Sequence, residues 1–429
     1  MNLFNESNVR DIKTYADNHR VRLHVIATGA GAGIQNLLWR VPGCSAFLVG
    51  AEFPYASEQT EQLLSFRPEK FASEETAIDL AIAAYRRALD DDPATEPVGL
   101  GLTASVASVA SHRGDHRVHV ACITATDARL YTVVLPKGGA ERRVEDGDVA
   151  DTLGVEAIRN ALLGYREDYD KSVYFGVQRR SSECAARVRE RILARPAFER
   201  GRPMTFAEMD PKGHRPLLPG AFNPPHKGHE GMVTYAETFM HVPEAVFTVC
   251  VDMPHKPPLT PQDMLARVHG LRHRSLLFTS GDPFYIDKAR KYPERPILLG
   301  ADALERLLDP KWGPDPADVL GELEKLGTKL FVFRRVDKTG TLTAWNVLMN
   351  AKLTAFSNRV VFEMNASTWD ISSTELRAAA HGLCPAPFVR APSSTAPKDV
   401  EAEAKDLARW LVSPGNAGAS PDGTGGPTT

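Results

Sequence analysis

LLPGAFNPPHKGH, residues Leu217 to His229, is the segment that decides the fold of the second half of the chain. Leu217 and Leu218 are typical of the end of a buried strand, and Gly220 begins a proline-rich turn. Apolar residues then recur at helical spacing, which predicts a helix from about Gly228. A helix that begins just beyond a strand presents unpaired N–H groups and the positive end of its dipole. The segment therefore predicts a phosphate-binding site.

Two histidines, His226 and His229, lie three residues apart at this predicted helix start. The spacing predicts that they share one face of the first turn, while Gly228 keeps side-chain bulk away from the space between them. An isolated H-x-G-H is as typical of a surface turn as of a ligand site. The strand, glycine and prolines that precede it here favour phosphate binding.

The segment resembles the first motif of the nucleotidylyltransferase superfamily, and is most similar to nicotinate/nicotinamide mononucleotide adenylyltransferases. The superfamily's second motif, S-S/T-x-x-R, is matched by Ser372-Ser373-Thr374-Glu375-Leu376-Arg377. Two stretches between them are also similar: Met253-Pro254-His255-Lys256, followed by Arg267, and Leu299-Gly300-Ala301-Asp302-Ala303, with Trp312 beyond. All four occur in the family's order, which makes the match stronger than any one motif alone.

The resemblance implies a doubly wound, parallel-sheet, Rossmann-like domain that transfers the AMP part of ATP to a pyridine mononucleotide in NAD biosynthesis. Pyrophosphate leaves, and the protein's task is to align two anions and to stabilise the charge on them. The catalytic residues implied are His226, His229 and Arg377. Those implied for ATP or phosphate binding are Gly220, Ala221, Phe222, Lys256, Ser372, Ser373 and Thr374. Those implied for the nucleotide ribose or base, or for the acceptor, are Gly300, Asp302 and Trp312. Mg²⁺ is expected to arrive with ATP, and no protein metal site is predicted.

Several of these residues also have a structural interpretation. Asp302 also fits a helix N-cap, and the segment from Ser372 to Arg377 also fits a capping box, but the functional interpretation is favoured for both. Trp312 either stacks on a ring of the ligand or belongs to the core. Arg334 and Arg335, at a predicted strand end, either meet the acceptor phosphate or form a solvated pair.

The first part of the chain resembles the C-terminal domain of CinA, a nicotinamide-mononucleotide amidohydrolase family. The residues that carry the resemblance are Thr28–Gly33, Val41–Ser45, Pro54–Ser57, Ser73–Ala77 and Gly101–Ala104. Ala30 stands where that family has its nucleophilic serine, and Thr60 stands where it has a lysine. A serine hydrolase needs a nucleophilic hydroxyl and a base, and Ala30 and Thr60 provide neither, so we expect no amidase activity. The loop with Gly31 and Gly33 remains a candidate nucleotide-binding loop.

Composition bounds the protein class. The 429 residues suffice for two domains with sizeable cores, and 51 basic residues balance 54 acidic ones. The balance excludes a general nucleic-acid binder and a polybasic membrane surface. Five scattered cysteines without a C-x-x-C pair indicate a reducing compartment, and no signal pattern or membrane span is readable. We expect a cytoplasmic protein whose partners are ATP and a phosphorylated small molecule, with neither nucleic acid nor membrane as partner.

The predicted organisation is two α/β domains followed by a tail. Residues 1–178 form the CinA-like domain, 179–212 a charged linker helix, and 213–390 the nucleotidylyltransferase domain. Residues 391–429 are predicted as a linker, a possible short helix and a disordered end. Two other functions stay open: a related cytidylyl- or adenylyltransferase with another phosphorylated acceptor, and a non-enzymatic pyridine-nucleotide sensor. The CinA-like part also makes a homo-oligomer possible.

Overall fold

The computed structural model describes residues 6–92, 94–109, 114–164, 178–240, 243–254, 256–309, 311, 315–337 and 340–368. Their strands form two sheets, one in each half of the chain, which confirms the predicted pair of α/β domains. None of the described helices is both long and apolar enough to cross a membrane. The predicted tail lies outside the described residues.

The first sheet is mixed. Its strands are β1 (Val21–Thr28), β2 (Leu48–Glu52), β3 (Glu96–Ser105), β4 (His116–Ile123), β5 (Ala128–Leu135) and β6 (Gln178–Glu183). They lie in the order β2-β1-β3-β4-β5-β6, with β1 parallel to β2 and β3 and the other neighbours antiparallel. Strands β1 and β3 are buried along almost their whole length because helices cover both faces of the sheet.

The helices of the first half are α1 (Glu6–Asn18), α2 (Ile34–Trp39), α3 (Ser57–Leu64), α4 (Glu74–Ala88) and α5 (Arg143–Leu163). Helix α4 begins at Ser73, whose side chain accepts a hydrogen bond from the Thr76 N–H at 3.2 Å, as an N-cap does. It packs directly on β3, because a Cβ atom at Gly101 would lie only 2.2 Å from the backbone nitrogen of Ala81. The glycine therefore sets the helix-to-sheet distance.

The segment 179–212 differs from the predicted solvated linker. It completes β6 and then forms α6 (Ala185–Ala194), β7 (Ala197–Glu199), β8 (Arg202–Met204) and α7 (Phe206–Met209). Helix α6 buries Val188 and Ile192, which lie four residues apart on one face. Its arginines are paired: Arg191 makes two hydrogen bonds to the buried Asp79 of α4, at 2.9 and 2.6 Å. The charged run thus forms ion pairs with α4 and, through Arg189, with Asp252 of the second half, so it is not a spacer.

The second sheet is built on parallel strands. Its strands are β9 (Leu217–Pro219), β10 (Val246–Cys250), β11 (Ser275–Thr279), β12 (Ile297–Gly300), β13 (Leu330–Asp337), β14 (Gly340–Leu342) and β15 (Val361–Thr368), with β7 and β8 at one edge. The parallel strands lie in the order β11-β10-β9-β12-β13-β15, which numbered within this half is 3-2-1-4-5-6. This is the doubly wound order of dinucleotide-binding sheets, so the predicted fold class is confirmed.

Helices cover both faces of the second sheet. They are α8 (Lys227–Met240), α9 (Pro261–Gly270), α10 (Tyr285–Lys291), α11 (Ala301–Leu307), α12 (Pro316–Lys325) and α13 (Ala344–Asn350). Helices α10 to α13 share one core with the sheet. Helices α8 and α9 lie in another core, which continues into α4 and α6 and includes Ala81, Ile192, Phe222, Val233 and Leu265. The two halves therefore pack against each other through a common apolar core.

Candidate functional site

The candidate site lies where the strand order of the second sheet reverses. Strands β9 and β12 are neighbours, with Leu217 paired to Ile297. The loop after β9 carries the H-x-G-H segment, whereas β12 runs directly into α11, whose N-cap is Gly300 and whose first turn contains Asp302. Such a reversal opens a crevice at the carboxyl ends of the strands, where open α/β sheets bind ligands.

The loop after β9 is shaped by one aromatic ring. Phe222 has φ 45° and is fully buried, with its ring edge-on to Phe247 at 4.9 Å between centroids. The ring folds back over Gly220, where a Cβ atom would lie 2.6 Å from the Phe222 ring. Gly220 also donates its N–H to the Thr248 carbonyl oxygen at 3.0 Å. The predicted phosphate-loop residues Gly220, Ala221 and Phe222 thus form a fixed turn.

The two histidines stack at the start of α8. Their ring centroids are 3.6 Å apart and the planes differ by 24°. The His226 carbonyl oxygen accepts the first intrahelical bond, from the His229 N–H at 3.0 Å, so His226 is the N-cap. The His226 N–H donates in return to Nδ1 of His229 at 3.3 Å. Since Nδ1 accepts, the proton of a neutral His229 ring lies on Nε2, where it is available as a donor.

Both histidines are neutral at pH 7. Burial, followed by the nearby charge of Arg335, lowers the pKa of His226 to about 4. Burial, followed by His226 and Arg335, lowers the pKa of His229 to about 3. Within the described residues the buried Nδ1 atom of His226 has no hydrogen-bond partner. The pair therefore offers hydrogen bonds to a ligand without carrying positive charge itself.

Arg335 supplies the positive charge near the histidines. It lies near the carboxyl end of β13, and its guanidinium is 3.9 Å from the Asp302 carboxylate. Its neighbour Arg334 donates instead to Glu363, at 2.7 Å. Each arginine therefore has an acidic partner, and Arg334, with 37% of its side chain exposed, is the more solvated of the two.

Asp302 belongs to the first turn of α11 but does not cap it. The N-cap is Gly300, without a side-chain cap, so the capping interpretation of Asp302 is wrong. One Asp302 oxygen accepts from Arg306 at 2.8 Å, and the other faces Arg335. A Cβ atom at Gly300 would lie 2.6 Å from that second oxygen, so the glycine leaves the space the carboxylate occupies.

Arg267 is a residue of the site to which the sequence assigned no role. Its side chain is buried, and Nε donates to the Ala221 carbonyl oxygen at 2.8 Å. The signal in the sequence was its place among Met264, Leu265 and Val268 on the apolar face of α9, where an arginine needs a fixed partner.

Lys256 is the one remaining predicted residue that the structure describes, and it is not brought into this cluster. Lys256 is exposed in the loop after β10, and none of its contacts in the described part of the chain reaches the histidines. Trp312, Ser372, Ser373, Thr374 and Arg377 lie outside the described residues, as does His255. Strand β15 ends at Thr368, which is in register with Arg335, shortly before Ser372 in the sequence. No group of three or more His, Cys, Asp or Glu side chains suited to a metal ion occurs in the described ranges.

The first half has a second glycine-containing loop, after β1. Here Gly33 donates its N–H to the Asp151 carboxylate at 3.0 Å, and burial raises the pKa of Asp151 to about 6. Ala30 is buried, and the buried Thr60 donates its hydroxyl to the Pro54 carbonyl oxygen at 2.8 Å. The Gly33 N–H of this loop is thus bound by the protein's own carboxylate.

No protein-family model matches the chain, and no curated protein does. Solved structures of CinA-type proteins do match. The competence or damage-inducible protein from Enterobacter asburiae is 16% identical, with TM-score 0.30, over 37% of this chain and 97% of its own. CihA from Agrobacterium tumefaciens is 18% identical, with TM-score 0.31, over 38% and 99%. A CinA superfamily protein from Escherichia coli is 17% identical, with TM-score 0.30, over 37% and 89%. These proteins belong to the family that the first part of the sequence resembles.

Proposed function

We propose that the chain is an adenylyltransferase that joins the AMP part of ATP to a pyridine mononucleotide, either nicotinate or nicotinamide mononucleotide. The observation that carries the proposal is the stacked pair His226 and His229 at the N-terminus of α8, beyond β9 and at the reversal of the strand order. Helix N-terminus, neutral imidazole donors and a nearby guanidinium together suit a nucleotide phosphate.

The proposed reaction requires no covalent intermediate with the protein. An oxygen of the acceptor phosphate attacks the α-phosphorus of ATP, and the bond from that phosphorus to the bridging oxygen breaks. The electron pair leaves with pyrophosphate, whose charge is shared with the Mg²⁺ that ATP carries. Because no proton has to be moved, neutral histidines are adequate. The Nε2–H of His229 donates to a phosphate oxygen while the bond changes occur.

We assign to the arginines the neutralisation of the negative charge on the reacting phosphates. Arg335 lies near both imidazoles, and its positive charge lowers the pKa of each. The same positive charge attracts a phosphate. By family resemblance, Ser372 to Thr374 and Arg377 hold the β- and γ-phosphates. Asp302, with one oxygen toward Arg335, accepts hydrogen bonds from a ribose or base of the bound nucleotides.

The test is pyrophosphate release by the full-length protein, with ATP or CTP and a panel of phosphorylated acceptors. ATP with one of the two pyridine mononucleotides is expected to give the strongest signal, and His229→Ala is expected to abolish most of it. His273→Asn, at an exposed histidine elsewhere in the second half, is the control and should behave as wild type. A signal with CTP or another acceptor would replace the substrate. Tight nucleotide binding without turnover would favour a sensor.

A further inference from the structure

Helix α9 belongs to the second sheet by sequence but is held at both ends by the first half. At its start, Gln262 Nε2 donates to two carbonyl oxygens of the β4–β5 turn, those of Thr124 at 3.1 Å and Asp127 at 3.3 Å. The helix connects β10 to β11, so these bonds tie a crossover of one sheet to a turn of the other.

The other end of α9 is fixed by a carboxylate. Asp91 lies between α4 and β3, and its two oxygens take separate partners: His269 Nε2 at 3.0 Å and the Arg272 guanidinium, also at 3.0 Å. Arg272 also donates to the His269 carbonyl oxygen at 3.0 Å, which stiffens the end of the helix. A carboxylate with two charge-assisted or polar partners holds both in a defined geometry.

Between these two anchors, α9 contacts the phosphate loop. Arg267 lies two residues before His269, and its Nε donates to the Ala221 carbonyl oxygen at 2.8 Å. The apolar side of the same helix, with Met264 and Leu265, lies in the core that contains Phe222. A displacement of α9 therefore moves both the carbonyl of Ala221 and the packing of Phe222.

We propose that Asp91 is a positioning residue for the phosphate loop 219–226: it fixes α9, and α9 fixes the loop through Arg267. The residues of the candidate site described above all belong to the second half. Through Asp91 the first half nevertheless contributes to the geometry of that site. The importance of that loop for nucleotide binding rests on the proposed function, whereas the mechanical link between Asp91 and the loop does not.

The primary test is amide hydrogen exchange of the full-length, unliganded protein, read by mass spectrometry of peptides. In Asp91→Ala the peptides that cover 219–226 and 263–272 are expected to exchange about tenfold faster, the effect of losing one charge-assisted hydrogen bond. Peptides of β1 and β3 should keep their rates. Asp91→Asn retains an acceptor and should fall between wild type and Asp91→Ala.

Glu75→Ala is the matched control. Glu75 pairs with Arg187 of α6 at 2.8 Å, so the variant also removes a carboxylate–arginine pair of the first half, but not one on α9. It should leave the 219–226 peptide unchanged. An unchanged 219–226 peptide in Asp91→Ala, or an equal acceleration across all peptides, would overturn the proposal.

A kinetic readout then asks whether the link serves the site. Asp91→Ala is expected to raise the KM for ATP about tenfold, with a smaller change in kcat, since loop geometry rather than a reacting group is altered. Faster exchange of 219–226 with an unaltered KM for ATP would refute a positioning role. If wild type releases no pyrophosphate, the proposed function fails, and the exchange experiment alone decides the link.

Discussion

The stacked histidines allow a substitution pair that separates the proposed catalytic role of His229 from its structural role. Nδ1 of this ring accepts from the His226 N–H at 3.3 Å, and Nε2 is the donor free for a ligand. In His229→Asn the amide oxygen can take over the acceptor position, but the distal donor is lost. In His229→Gln the longer amide reaches the position of Nε2, but the bond to the His226 N–H is lost.

Two magnitudes follow. Removing a donor that stabilises charge in a transition state costs about 100- to 1,000-fold in kcat, or about 3 to 4 kcal/mol. Losing a helix-terminus bond costs about 1 kcal/mol of stability. Both variants also lose ring contacts with His226, at 3.6 Å between centroids, and with Phe222, at 4.8 Å, so this cost largely cancels in the comparison.

The assay is steady-state pyrophosphate release, with urea unfolding on the same preparations. His229→Asn is expected to lose kcat by the full factor and to unfold near the wild-type midpoint. His229→Gln is expected to keep more activity and to be the less stable of the two. If His229→Asn is as active as wild type, or if His229→Gln is the less active variant, the assignment of Nε2 as the catalytic donor is refuted.

Four further outcomes are expected. The pKa values of His226 and His229 lie near 4 and 3, below the usual 6.5. The unfolded chain therefore binds more protons than the folded one as the pH falls from 6.5 to about 4, and the free energy of unfolding decreases. The urea midpoint should drop over this pH window, and it should drop less in His226→Asn. Pyrophosphate release should likewise show no acid limb near pH 6.5. Arg335→Met should raise both histidine pKa values, as measured by NMR titration, because the arginine's charge lowers them. Gly101→Ala should destabilise the protein by about 1 to 3 kcal/mol in thermal unfolding, because the new Cβ atom would lie 2.2 Å from the α4 backbone. Gly147 of α5 has open space around it, so the control Gly147→Ala should be neutral or stabilising in the same measurement.

The sequence was sufficient for the parts of the site that depend on neighbours in the chain. The strand ending at Pro219, the turn and the helix beginning at Lys227 follow from apolar spacing and from the glycine and prolines between them. The alternation of such units predicts a doubly wound sheet, and the strand order places the carboxyl ends of β9 and β12 side by side.

The parts that depend on distant residues were not predictable. Arg191 reads as solvated in the sequence, because nothing near it shows that Asp79 will be buried beside it. Arg267 reads as an ordinary helix residue, since its partner is a carbonyl oxygen in a different loop. An arginine side chain extends far from its own backbone. The residues next to it in the sequence therefore do not show which group it will contact.

The two glycine-containing loops of the chain show most directly how a distant residue decides function. Each follows a buried strand, precedes a helix and predicts a phosphate site. After β1, the N–H of Gly33 binds the carboxylate of Asp151, which lies 118 positions away, so the protein has filled this position itself. After β9, the side chain at the helix start is His229, whose Nδ1 is taken by its own N-cap while Nε2 remains a donor. A carboxylate cancels the positive end of a helix and a neutral imidazole does not. The same local pattern therefore leaves the helix N-terminus neutralised in one half and free of a carboxylate in the other, and this difference supports placing the proposed nucleotide site in the second half.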